Sequence, residues 1–411
     1  MTYQFPSALK LVAVYLFFTG AWFVWYLADF LDYFKEVKPY DEGCVHISGV
    51  PGAEDQSKWN DGVILMSSAK RFNVERELTD EHIEEGAIFV YSGLKAQQNM
   101  SEVKNLPLKK LPIKGWPEGI SFQPHGIYVD REFSMLYAIS HALFAGGERI
   151  EVFDIRCDEN DVPNVLNYKY SITSENLNRE AYGILNSITV IEPNKFYVTK
   201  FKPTPLPPYG KPAKGWTALI DALVRPSTYV LYCTYEPSDN KLECFKAADG
   251  FMVANGITHN KDKSLIFVGD LFAKSVSVFK RDVNNNTLTQ VSLIDTKAGI
   301  DNLKYDDTTG NIYAASLQSM RHNMNTIALY PNRSNESYYG ITEIESFEDM
   351  QGKTRYSSRE LIITNKMNGG SNGLRMHDKV FLSSFLHEGF LVCPIPKGRR
   401  HQRKQPRSTE L

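Results

Sequence analysis

The chain has 411 residues, of which 42% are apolar, 23% charged and 12% aromatic, and its formal net charge is −2. These are the proportions of an ordinary globular protein with chain enough for a large core. The near-neutral balance supplies no basic field, which excludes nucleic acid as a partner on charge.

Residues 11–28 read LVAVYLFFTGAWFVWYLA, an uncharged run between Lys10 and Asp29. A membrane-spanning helix needs about 20 mostly apolar residues, and the wider stretch 8–31 supplies them. A cleaved signal peptide has a shorter apolar core and a small-residue cleavage site. This run instead ends on Trp22, Trp25 and Tyr26, side chains suited to a lipid–water boundary. The expectation is a cytoplasmic segment 1–10 and an uncleaved signal anchor over 11–31. Lys10 and the amino terminus precede the span, while Asp29, Asp32 and Glu36 outweigh Lys35 after it. That asymmetry predicts a single-pass type II protein of the endoplasmic reticulum or plasma membrane, with a lumenal or extracellular body. N-glycosylation triplets at Asn99, Asn285, Asn332 and Asn335, all in polar surroundings, agree with it.

From residue 55 onward one theme recurs: a short strand opening on a polar residue or glycine, a densely apolar second strand and an alternating third. The openings are NDGVILMSS at 60, HGIYVD at 125, NSITVI at 186, NGITHN at 255, DNLKYD at 301 and NGLRMHDKVFLSS at 372. Second strands follow as MLYAIS, KFYVTK, SLIFVGD and NIYAAS, and third strands as RIEVFDI, TYVLYCTY, SVSVFK and TIALY. Period-2 strands in repeated sets predict an all-β fold, a six-bladed β-propeller over 40–395. The proline-rich 202–215 reads as a surface loop and WTALIDALV as a short amphipathic helix on the rim. The acidic run DEHIEEG reads as a solvated loop. The tail 396–411, with KGRRHQRKQPR, reads as a disordered basic arm, solvated or in contact with acidic lipid or an acidic partner.

The first residues of innermost propeller strands point at the axis. Glu54-Asp55, His125, Asn186, Asn255 and Asp301-Asn302 therefore converge on one end of a central tunnel. Two or three carboxylates with three amide oxygens form the donor set of a hard cation. Calcium accepts six to eight oxygens, whereas zinc takes cysteine and histidine. An asparagine before a glycine also caps turns, but convergence of several polar groups favours the metal. Of the five cysteines, Cys44 and Cys393 lie at the two ends of the body, where a bridge would close it into a ring. Cys233 and Cys244 flank EPSDNK symmetrically. A hairpin with a two-residue Ser238-Asp239 loop would set them face to face, as a bridge or as two buried thiols.

The segments GAED, SFQPHGI, LNSI, ANGI and GIDNL, in this order and spacing, resemble the paraoxonase family of calcium-dependent lactonases and arylesterases. The resemblance implies a catalytic calcium held by Glu54, Asn186, Asn255, Asp301 and Asn302. It implies a second, structural calcium on Asp55, the main-chain oxygen of Ile127 and the residue after Asn186. It implies a Cys44–Cys393 disulfide, and a catalytic histidine pair at His125 and His141. Two departures stand out: Ser187 replaces the family's aspartate, a poorer ligand for the second calcium, and FKPTPLPP replaces its acidic-histidine loop. The N-terminal anchor and basic tail resemble the membrane-bound, nematode-type branch, whose members assist assembly of degenerin/epithelial sodium channels. Two functions follow: calcium-dependent hydrolysis of a small lactone or aryl ester, or a channel chaperone or auxiliary subunit that uses calcium structurally.

Overall fold

The computed structural model describes residues 7–69, 85–142, 147–173, 185–201, 226–329 and 337–396. The stretches 202–215 and WTALIDALV, the basic tail from residue 397, most of DEHIEEG, and the sequons at Asn332 and Asn335 lie outside them. The described chain is all-β apart from short helical connections and one long N-terminal helix.

Strands are laid down as antiparallel meanders of four. The first comprises Ala53–Asn60, Val63–Ser68, Ala87–Ser92 and Leu108–Lys110. The second comprises Pro124–Asp130, Met135–Ala142, Gly147–Cys157 and Pro163–Ile172, extended by Ile113–Lys114. Leu185–Glu192, Lys195–Lys200, Thr228–Glu236 and Lys241–Phe251 form the third. Ala254–His259, Leu265–Asp270, Ser275–Arg281 and Leu288–Asp295 form the fourth. Gly299–Asp306, Asn311–Leu317, Tyr339–Glu348 and Thr354–Thr364 follow. The last set takes Gly370–Met376, Lys379–Ser384 and Glu388–Pro394, with Val45–Pro51 from the start of the chain at its outer edge. One parallel bridge, Asn302 to Asn372, links these final two sets. Each inner strand packs on the inner strand of the next set, and Gly370–Met376 returns to Ala53–Asn60. The result is propeller-like, with inner strands ringed about an axis.

Burial explains the strand compositions. VILMSS of Val63–Ser68 is buried throughout, as are five of six residues of KFYVTK, because sheets cover these strands on both faces. The outer strand Lys241–Phe251 is mostly exposed and alternates in part. The core lies between neighbouring sets: Ile150 and Val152 of the second meet Val190 and Val198 of the third. Val268 of the fourth packs with Tyr197 and Val230 of the third in the same way.

Three expectations need correction. The opening placed at residue 60 belongs to a second strand, since the inner strand of that set is Ala53–Asn60. TIALY is no third strand: Met320–Leu329 is helical, and Tyr339–Glu348 takes the strand's place. The Asp32 carboxylate accepts a hydrogen bond from the Met320 amide at 3.1 Å, so one otherwise unpaired donor of the first turn is capped from a distance that local sequence does not reveal. Finally, the hairpin after Cys233 closes on Glu236–Lys241, with a four-residue turn instead of two. Pro237 has no N–H with which to extend the ladder. The register survives, and Cys233 and Cys244 are bonded.

Helix α1, Ser7–Phe30, has 24 residues. Val12, Tyr15, Leu16, Phe17, Phe18, Trp22 and Trp25 are exposed on it. Among the residues whose side chains are described, no helix is long and apolar enough to cross a membrane. The end of α1 is bolted to the body: Phe30 is buried and meets Phe272 edge-on, and Asp32 pairs with Lys274 at 2.6 Å. Asp270 pairs with Ala254 at the start of an inner strand, so α1 leaves from the end of the body where inner strands begin.

Closure of the ring depends on Val45–Pro51 pairing with Glu388–Pro394, and Cys44 is bonded to Cys393 beside that seam. The bridge spans 349 residues, so its loss should destabilise by about 2–5 kcal/mol through the unfolded chain. Denaturant titration of Cys44→Ala/Cys393→Ala is expected to show this lowered midpoint, and the reduced wild type, which also loses the Cys233–Cys244 bond, should fall at or below it. An unchanged midpoint would mean that the seam holds without the bond.

Candidate functional site

The starts of the inner strands carry Glu54, Asp55, His125, Asn186, Asn255, Asp301, Asn302 and Asn372. All are buried except Asp301, which is half-buried. Glycines make the convergence possible. A Cβ on Gly126 would lie 2.2 Å from the Asn186 carbonyl oxygen, and one on Gly256 2.6 Å from Asn302 Cα. Neither glycine has a positive φ. The Asn255-Gly256 pair thus answers to close approach of the next strand, not to a turn.

Several oxygens gathered here lack donors. Asn186 Oδ1, Asn255 Oδ1, Asp301 Oδ1, Asn302 Oδ1 and Asn372 Oδ1 are buried with no hydrogen-bond partner among the described residues. Their neighbours fix where they point. Asn302 Nδ2 donates to Glu54 Oε1 at 3.3 Å, and Asn186 Nδ2 lies 3.1 Å from His125 Nε2. The Thr199 hydroxyl donates to the Asn255 carbonyl at 2.5 Å and accepts from the Ser187 amide at 3.0 Å, tying two inner strands together. Asp301 has its carboxyl pKa pushed well above the usual range, first by burial and then by repulsion from Glu54 and Asp55; a bond with Asn255 opposes the shift.

Among the described residues no group of three or more His, Cys, Asp and Glu could hold a metal ion. The donors that do gather include asparagine oxygens, which suits a hard cation and not zinc. Orphaned, buried and mutually repelling oxygens are what such an ion would satisfy, so Glu54, Asn186, Asn255, Asp301 and Asn302 fit calcium. Asp55 and Ile127 do not. The Asp55 carboxylate already accepts from the Gln56 amide at 2.9 Å, the Ile127 amide at 2.7 Å, Asn372 Nδ2 and Lys304 Nζ at 3.0 Å. Lys304 Nζ also reaches the Ile127 carbonyl oxygen at 3.3 Å.

The histidine pair is present. His125 and His141 have ring centroids 4.7 Å apart, and His125 Nε2 lies 3.6 Å from Glu54 Oε1. Behind them His141 Nδ1 faces Glu148 Oε1 at 3.2 Å, and that carboxylate also accepts the Leu185 amide. Glu148, Lys304 and Asn372 were missed from sequence as site residues, although Asn372-Gly373 repeats the Asn-Gly opening of Asn255. His259 lies elsewhere, 2.9 Å from the Tyr128 hydroxyl. It lines a cavity of about 420 Å³ where the inner strands end, with Lys58, Arg375 and Lys304.

Residues 44–338 match the arylesterase family. Serum paraoxonase/lactonase 3 of Oryctolagus cuniculus is 28% identical over 290 residues, covering 68% of this chain and 71% of that protein. Serum paraoxonase/lactonase 3 of Homo sapiens is 26% identical over 315 residues, covering 75% and 78%. Serum paraoxonase/arylesterase 2 of Rattus norvegicus is 24% identical over 401 residues, covering 94% and 99%.

Asp301→Asn removes the repelling charge at constant shape. With chelator present, the variant should melt a few degrees above wild type, and calcium should no longer shift it. A lower melting point in chelator would show that Asp301 is already compensated within the protein.

Proposed function

The chain belongs to the arylesterase family, and on that premise we propose a membrane-anchored, calcium-dependent hydrolase of lactones or aryl esters on a six-bladed propeller. The six blades are the four-stranded meanders, with Val45–Pro51 completing the sixth. The observation that carries the reading is the set of donor-less oxygens of Asn186, Asn255, Asp301 and Asn302 at one end of the inner strands. Calcium there would polarise the ester carbonyl and stabilise its oxyanion.

The chain's own residues supply the rest. His125, beside Glu54, is the general base that takes a proton from the attacking water. His141 packs on its ring, and Glu148 holds His141 through Nδ1, so His141 and Glu148 position the base. Burial of His125 against Phe201, with ring centroids 6.0 Å apart, keeps bulk water from competing.

The compartment reading rests on α1 and on oxidation. The exposed apolar residues of α1 suit an anchor, two disulfides suit the lumen or cell exterior, and Asn99 and Asn285 are exposed. Chaperoning of a degenerin/epithelial sodium channel is the second reading, favoured by FKPTPLPP in place of the family's acidic-histidine loop.

Detergent-solubilised full-length protein should hydrolyse some member of a lactone and aryl-ester panel, with loss of turnover in chelator. His125→Gln should lose turnover at least 100-fold yet keep the calcium-induced melting shift, since general bases contribute about 10²–10⁴. Asn255→Ala should lose both, with calcium affinity lowered at least tenfold. If no substrate turns over while calcium still raises the melting point, the chaperone reading stands instead. Endoglycosidase should increase the mobility of the full-length protein, and protease outside sealed microsomes should spare the body. Unchanged mobility with a digested body would reverse the topology.

A further inference from the structure

The inner strands bring together three carboxylates, two buried and one half-buried, but among the described residues only Lys304 places an ammonium against any of them. Glu54, Asp55 and Asp301 come from two inner strands, and Lys304 enters from the far side, two residues beyond Asn302. Its Nζ stands 3.0 Å from each Asp55 oxygen and 3.3 Å from the Ile127 carbonyl oxygen. The Lys304 side chain is 15% exposed and Asp55 fully buried, so the charge is held inside the body.

We propose that the Lys304 ammonium is a built-in cation that permanently occupies the inner half of the tunnel, leaving room for one divalent ion and not two. The inference rests on the calcium reading of the mouth. A carboxylate offers about four lone-pair positions, and Asp55 spends all of them on the Gln56 and Ile127 amides, Asn372 and Lys304. The Ile127 carbonyl, which a second ion would use, faces the same Nζ. Ser187, on the strand beside Gly126, brings no charge that could draw an ion in against the ammonium. Lys304 thus balances Asp55 and fills the inner position, which leaves the mouth as the one place for a divalent ion.

A fixed ammonium and a bound calcium differ in consequence. The ammonium cannot be stripped by chelator, so the inner crossing of Asp55, Ile127 and Lys304 should persist when the mouth is emptied. The body should therefore stay folded without calcium and lose only the order of the mouth.

The test counts calcium by equilibrium dialysis on full-length detergent-solubilised protein, comparing wild type with Lys304→Gln/Ser187→Asp. The double variant removes the ammonium and supplies a carboxylate, so it should bind one equivalent more than wild type. No gain, or two equivalents in wild type, would overturn the proposal. The wild-type count speaks separately to the mouth: one equivalent is expected, and none would defeat the mouth site while leaving the difference between the proteins to judge Lys304. Should the double variant fail to fold, Lys304→Gln alone decides the matter. It should melt below wild type in chelator and gain a larger calcium shift, whereas a wild-type melting profile would overturn the inference.

Discussion

Inner strands of a ring are pressed together at their starts, and here that crowding brings polar side chains with acceptor oxygens but too few donors. Each buried polar group without a partner costs about 1–3 kcal/mol. At least four such oxygens, from Asn186, Asn255, Asp301 and Asn302, accumulate at one end of the body. A fold that retained them without compensation would give up a large share of its stability, which is typically about 5–15 kcal/mol. The economical resolution is a positive charge at their centre. Lys304 supplies one deeper in the tunnel, and calcium is the proposed second at the mouth.

The site is hostage to the closure of the ring. Glu54 is held from the last set, because the Ser371 hydroxyl donates to its carbonyl at 2.7 Å. The Gly52 amide, two residues earlier, bonds the His387 carbonyl at 3.2 Å. Both contacts exist only while Val45–Pro51 is paired with Glu388–Pro394 and the Cys44–Cys393 bond spans the seam. Glycines at 126, 256 and 373 then let neighbouring strands approach more closely than any Cβ permits. Fold closure and donor geometry are thus one property, and family membership adds a chemistry in which such a centre is useful.

Much of this was legible in sequence because it follows from short-range pattern. Alternation and dense apolar runs marked the second strands, and polar residues before glycines marked the inner ones. Asn186, Asn255 and Asp301-Asn302 could be picked out because each repeats one strand opening. What escaped depends on partners distant in the chain. Lys304 in DNLKYD reads as the solvent-facing member of an alternating strand, and its partner Asp55 is 249 residues away. Glu148 reads as an ordinary strand residue until His141 is seen across the ladder. TIALY has strand composition, yet the preceding MRHNMN and the Asp32 carboxylate favour a helix. The inner strand of the first set escaped as an opening because AEDQSKWN has few apolar residues, its place being dictated by the tunnel.

The central question is whether those orphaned oxygens hold an ion. Crystals of the calcium-free protein soaked in a lanthanide, with anomalous differences measured at its absorption edge, would locate a hard cation directly. One strong peak is expected, enclosed by Glu54, Asn186, Asn255, Asp301 and Asn302, and none between Asp55 and Ile127. Absence of the first peak, with those amide oxygens hydrogen-bonded to ordered water, would contradict that expectation.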